Sequence, residues 1–162
     1  MTRSRSAVDA VPTAMMVDYY RQRASAGLIV SEGIAPSADG LGYCRTPGLY
    51  NTAQVAAWSR VTAGVHAAGG RIVAQLMHVG RVASHFNKPA GSRTIAPSAI
   101  RARGEIYTDQ VGMVPLDEPR ALATDEIAGV VEDYRLATGN ALAADATWSF
   151  TTAAPADRCT AL

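Results

Sequence analysis

Thiols, lysine, long apolar runs and an excess of either charge are all scarce in this sequence. Only Cys44 and Cys159 are present among 162 residues, too few for a disulfide framework, and that scarcity fits a reducing, cytoplasmic setting. No apolar run approaches the roughly 20 residues that a bilayer span needs; Gly27-Leu28-Ile29-Val30 is among the longest, so no membrane partner is expected. The polar opening Met1-Thr2-Arg3-Ser4-Arg5-Ser6 leads into no apolar signal core, and a secretory leader is not expected either. Fifteen Lys+Arg stand against 14 Asp+Glu, a formal charge of +1. Without a dense basic block to displace counterions, nucleic acid is not an expected partner. Lys88 is the sole lysine, and arginine and alanine are abundant, a bias that reads as GC-rich coding.

What is present suffices for a folded domain: 48% of residues are apolar and 18% charged, which excludes a disordered chain. Met15, Met16, Tyr19 and Tyr20 recur at helical spacing between Pro12, at a first-turn position, and a capping Gly27. Leu28 to Gly33 is too short and too apolar for a helix and reads as a buried strand. Asn51 with Gln54 three positions on predicts a capping box, opening a helix whose face is Val55, Trp58, Val61, Thr62 and Val65 and which ends at Gly69-Gly70. Arg71 to Met77 reads as a second strand, its period of two placing Ile72, Ala74 and Leu76 on one face and Val73, Gln75 and Met77 on the other. A polar Gln75 on such a strand needs a partner wherever it is buried.

The next 46 residues, His78 to Ala123, hold four of the eight prolines; a connection of that length is usually functional or disordered. Thr124 is expected to cap a third helix, with Asp125 and Glu126 in its first turn and Ile127, Val130, Val131, Tyr134 and Ala141 as its buried stripe. Helices alternating with strands in this order predict α/β architecture. A closed (β/α)8 barrel takes about 200 to 250 residues or more, so the chain is either a small open α/β sheet or part of something larger.

Other signals are weak. Gly40-Leu41-Gly42 is half of a dinucleotide fingerprint, but the third glycine and the helix that should follow are missing. His66 reads as a helix-packing or surface residue. His78 and His85 lack ligand spacing and a neighbouring Cys or carboxylate cluster, so no metal site is expected. Cys44 reads as an ordinary small side chain.

Several stretches, in order, carry a resemblance. They are Met1-Thr2-Arg3-Ser4-Arg5, Tyr20-Arg21-Gln22-Arg23-Ala24, Gly27 to Gly33, Gly42-Tyr43 through Pro47-Gly48-Leu49-Tyr50, Gln75-Leu76-Met77-His78-Val79-Gly80-Arg81, Ala96-Pro97-Ser98-Ala99, and Pro119-Arg120-Ala121-Leu122 with the helix after it. Over residues 2–146 the chain resembles the Old Yellow Enzyme family of FMN-dependent ene-reductases, including the N-ethylmaleimide reductase type. The resemblance implies a partial TIM barrel, about the first three βα units, lacking most of strand one and all of strands four to eight. It implies FMN as cofactor, NADH or NADPH as reductant, and an activated alkene such as an enone or maleimide as substrate. By the same resemblance Thr2, Gly33 and Gln75 contact the flavin: Thr2 near its N5/O4 side, Gly33 through its backbone, Gln75 on the pyrimidine edge. Tyr43 and Met77 line the substrate pocket, Met77 standing where many relatives carry Trp.

Beyond residue 146 the family pattern stops. Relatives continue with a strand ending in a His, followed three residues later by His or Asn, which together bind the substrate carbonyl; the proton-donor tyrosine and the FMN phosphate site come later still. Here Thr147-Trp148-Ser149-Phe150-Thr151-Thr152 follows Ala146. A GC-rich coding of Ala146 to Thr152, read from the last base of the alanine codon, gives Asp-Val-Glu-Leu-His-Asp, close to the absent strand. Residues 147–162 are therefore expected to be an out-of-frame tail on a 1–146 barrel segment. Two further outcomes stay open: a non-catalytic product that aggregates or associates with itself or a partner through exposed barrel edges, and a self-sufficient small α/β binding domain.

Overall fold

A computed structural model describes residues 2–146 and 149–153, the latter as backbone only. Helix α1 spans Ala14–Arg21 and is followed by a 3-10 turn, Ala24–Ala26, and by Gly27 at φ 78°. The helix thus stops short of the expected cap at Gly27, because Arg23 N–H bonds back only three residues, to Tyr20 O, and tightens the last turn. Thr13 holds the N-cap position, so Pro12 precedes the helix and does not stand in its first turn. Strand β1 is Ile29–Ile34, helix α2 Thr52–Ala67 and strand β2 Ile72–His78. Asn51 caps α2 by accepting Gln54 N–H at 2.9 Å. The capping box is only half formed, since the Gln54 side chain accepts Tyr50 N–H and not that of Asn51.

β1 and β2 are parallel neighbours, joined through α2. The face of β2 formed by Ile72, Ala74 and Leu76 is buried against the helices together with Ile34, Trp58, Val61 and Val65, as period-two alternation requires. The long connection after β2 is ordered. Short strands β3 (Ile95–Ala96) and β6 (Arg120–Ala121) pair in parallel, and β4 (Glu105–Thr108) and β5 (Gly112–Pro115) form an antiparallel hairpin. Gly112, at φ 77°, supplies the left-handed residue that closes the three-residue loop.

Helix α3 is Ile127–Ala143, preceded by a 3-10 turn at Thr124–Glu126. Thr124 does not cap it. Glu126, clamped by two 2.7 Å bonds from Arg120, instead accepts Ala123 N–H at 2.9 Å. The expected stripe is also only partly buried. Ala137 and Ala141 are covered and Tyr134 packs against the core, but Ile127 and Val131 are exposed, Val131 at 63%. An apolar stripe marks which side of a helix seeks a partner; these residues supply a partner for only part of it.

Strand β7, Ser149–Ala153, lies parallel to β2 from Ala74↔Ser149 to His78↔Ala153, giving the sheet order β1-β2-β7. The expectation that no barrel strand follows β2's unit is thereby corrected. The open edge of β2 offers unpaired backbone groups, and the β-prone run Ser149-Phe150-Thr151-Thr152 takes them. The rest of the expected tail, 147–148 and 154–162, lies outside the described residues. No helix among the described residues is long and apolar enough to cross a membrane.

Candidate flavin-facing site

β1 does not alternate simply, and the reason shapes the site. Val30 pairs with Val73, but the next pairs are Gly33↔Gln75 and Ile34↔Leu76, so β1 holds one extra residue between them. That bulge shifts the parity of the strand. Ile29, Glu32 and Ile34 face the helices, and Gly33 is left on the face of Val73, Gln75 and Met77. Ser31, fully buried, fills the bulge: its hydroxyl accepts Gln75 N–H at 2.9 Å and donates to Glu32 O at 2.7 Å.

Gly33 and Gln75 are thus register partners on adjacent strands, and Met77 is two residues further along the same face. A Cβ at Gly33 would stand 2.5 Å from Met77 Cε and 2.9 Å from its Sδ, so the thioether lies directly on this glycine. Gln75 and Met77 are both half-buried, unlike the fully covered Leu76 between them. Three of the five expected positions therefore meet at one point near the C-terminal ends of parallel strands, where α/β folds carry ligands.

Thr2 is half-buried, and the arm that carries it is tied down at the next residue: Arg3 N–H donates to the Glu32 carboxylate at 3.1 Å. Glu32, 2% exposed, also accepts from Tyr20 Oη at 3.3 Å, and its own N–H donates to that Oη at 2.9 Å. Burial pushes the Glu32 carboxyl above its ordinary range against the pull of these donors, and burial followed by the Glu32 charge pushes the Tyr20 phenol up. Tyr43 sits elsewhere on the same end of the sheet. It packs with Ala102, Ile106 and Leu116 beside the hairpin, while Val79 N–H donates to Gly40 O and holds its loop against the segment leaving β2.

Sequence reasoning missed five residues here. Ser31 and Glu32 were read only as strand, Tyr134 only as stripe; its Oη accepts His78 N–H at 3.0 Å and pins the end of β2 to α3. His78 accepts Gly80 N–H on Nδ1 at 3.0 Å, leaving a buried Nε2 with no partner among the described residues. Burial, with a smaller effect of Lys88, lowers its pKa to about 4, so the ring is neutral. Lys88 gives its ammonium to the carbonyls of Asp39 and Arg93, both at 2.8 Å, and burial lowers its pKa to about 8. Only nonlocal contacts reveal these roles; none has a sequence spacing to announce it. Among the described residues no three His, Cys, Asp or Glu side chains cluster as metal ligands. A groove of about 790 Å³ between the N-terminal loop and the hairpin, edged by Cys44, Arg45, Phe86 and Asp109, takes in none of the five expected positions. The site is accordingly placed by strand register and not by cavity size.

Parallel strands in sequential order, joined through helices that cover one face, with Gly33, Gln75 and Met77 meeting on the other, define an α/β segment of the kind that builds a parallel barrel. A family model described as NADH:flavin oxidoreductase / NADH oxidase matches residues 1–147, and the chain belongs to that family, the Old Yellow Enzyme family. It is similar to the Old Yellow Enzyme homologue from Zymomonas mobilis, with 44% identity and a TM-score of 0.88 over 93% of this chain and 42% of that one. It is also similar to morphinone reductase in complex with tetrahydroNAD, at 46% identity and a TM-score of 0.85 over 93% of this chain and 43% of the other. Among curated relatives, 12-oxophytodienoate reductase 7 of Oryza sativa subsp. japonica is 40% identical over 147 residues, 89% of this chain and 37% of the relative. The chain thus spans about two-fifths of the length of the proteins it matches, over their N-terminal part.

Proposed function

We propose that this chain carries the flavin-facing strands of an FMN-dependent NAD(P)H oxidoreductase acting on activated alkenes. One observation supports the reading most directly: Gly33, Gln75 and Met77 meet on one face at the strand ends. The residues present fit the ring of a flavin. The half-buried Gln75 amide suits hydrogen bonding to the polar edge of a flat heterocycle, and the flexible Met77 thioether that packs on the side-chain-free Gly33 can turn aside to let the ring approach. When bound, FMN supplies the hydride that NAD(P)H has delivered and that the alkene receives. The chain's own residues would bind and orient: Gln75 would hydrogen-bond the polar edge of the ring, Gly33 would admit it along the backbone, the Thr2 hydroxyl would hydrogen-bond it from the N-terminal arm, and Met77 and Tyr43 would border the substrate.

The 162 residues hold no counterpart of the carbonyl-binding pair or the proton donor, so by themselves they are expected to reduce no enone. The experiment is reduction of cyclohexenone by the purified chain with FMN and NADPH; no turnover above free flavin is expected, and sustained turnover would overturn that part of the reading.

A second reading, in which the chain associates with itself, is favoured by exposed Val131 and Leu142 on α3 and by Leu28 and Val30 at the β1 edge. Size-exclusion chromatography at several concentrations tests it: elution shifts toward larger species as concentration rises, whereas a monomer at every concentration contradicts it.

A further inference from the structure

Glu32 is a carboxylate 2% exposed on the helix-facing side of a barrel strand, a position where ordinary strand residues are apolar. It reaches that side only because of the bulge at Ser31. Strict alternation from Ile29 would have turned residue 32 to the opposite face, with Val30. Burying an acid costs free energy unless donors meet it, and two do: Tyr20 Oη from α1 and Arg3 N–H from the N-terminal arm. The Tyr20 hydroxyl in turn accepts Glu32 N–H, so the carboxylate, the phenol and the strand backbone form one closed group. Arg3 N–H is the peptide nitrogen that follows Thr2. Whatever fixes it fixes the Thr2 carbonyl one covalent bond away, and Glu32 is next to Gly33 in the chain.

We infer that Glu32 is a positioning residue: its carboxylate, oriented by Tyr20, holds the N-terminal arm at Arg3 and so fixes the neighbouring Thr2 against the strand that carries Gly33. This rests on the proposed flavin contact of Thr2. The bulge serves both ends of the device, Ser31 holding Gln75 through its backbone amide while Glu32 holds the arm.

The test uses the full chain and hydrogen exchange read by NMR, with Glu32→Leu, Glu32→Gln, Tyr20→Phe and Thr2→Ala. In Glu32→Leu the Arg3 amide is expected to exchange about tenfold faster or more, the loss of one hydrogen bond to a charged acceptor, while the amides of β2 keep their protection. Glu32→Gln retains an acceptor and is expected to restore slow exchange. If Glu32→Leu loses protection throughout, Tyr20→Phe decides, since it removes only the orienting hydroxyl and is expected to speed exchange at Arg3 and at Glu32, whose own N–H loses its acceptor, while β2 keeps its protection. FMN titration followed by fluorescence quenching supplies the second readout: Glu32→Leu weakens binding, and weakens it no further in a chain already carrying Thr2→Ala. Unchanged Arg3 exchange in Glu32→Leu, or fully additive losses with Thr2→Ala, would overturn the inference. Absence of any FMN binding by the unaltered chain would defeat the flavin reading, and Arg3 exchange would still decide whether Glu32 holds the arm.

Discussion

Gly33→Ala tests whether the close approach at the strand ends is real. Gly33 lies outside the left-handed region, so alanine meets no backbone strain there. The added Cβ would stand 2.5 Å from Met77 Cε, 2.9 Å from Sδ and 3.2 Å from Cβ, against roughly 3.5–4.0 Å for an unstrained carbon–carbon contact. Cε and Sδ end a side chain with three rotatable bonds and can swing away. Met77 Cβ is fixed to β2 and must yield by a few tenths of an ångström. The expected cost therefore falls at the low end of overpacking penalties, about 1–2 kcal/mol, offset by roughly 0.5–1 kcal/mol because alanine loses less backbone entropy than glycine. The net destabilisation is about 0–1.5 kcal/mol, measured by urea denaturation. In a Met77→Ala background the two closest contacts vanish, and Gly33→Ala is expected to become neutral or stabilising, a coupling of about 1 kcal/mol between the sites. Equal effects of Gly33→Ala in both backgrounds would refute the placement of Met77 on Gly33.

Folding stability is expected to fall as pH drops from 6.5, the ordinary histidine value, to about 4, the value to which burial lowers His78. In that window the unfolded chain takes up a proton that the folded ring does not. The loss is ~3 kcal/mol at most; it shows as a declining urea midpoint that His78→Gln flattens, and an unchanged slope in that variant would contradict the assignment. Asn51→Ala removes the acceptor of Gln54 N–H at the start of α2 and is expected to cost about 1 kcal/mol; a loss below the error of the urea midpoint would mean that the helix start is held by other groups.

Legibility from sequence followed locality. β2 could be read because its alternation is unbroken, so Ile72, Ala74 and Leu76 announce one buried face and leave Gln75 and Met77 on the other. β1 could not: the bulge at Ser31 shifts the parity of the strand, and Glu32 looks in sequence like any strand residue although it binds groups 29 and 12 positions away. The start of α2 was legible because Asn51 and the amide it caps are three residues apart. The start of α3 was misread because its cap comes from Glu126, held by Arg120, and not from Thr124. Exposure of Ile127 and Val131 was beyond reach for a different reason, since periodicity describes the helix and not the neighbours it finds. The pairing of Gly33 with Gln75 rests on register between strands 42 residues apart in sequence, which periodicity within either strand does not carry.

The account stands most directly on flavin recognition by this sheet. Titration of the 162-residue chain with FMN, followed by quenching of flavin fluorescence, is expected to give saturable binding that Gln75→Ala weakens by about 3- to 10-fold, the worth of one hydrogen bond. No saturable quenching, or quenching that Gln75→Ala leaves unchanged, would contradict it.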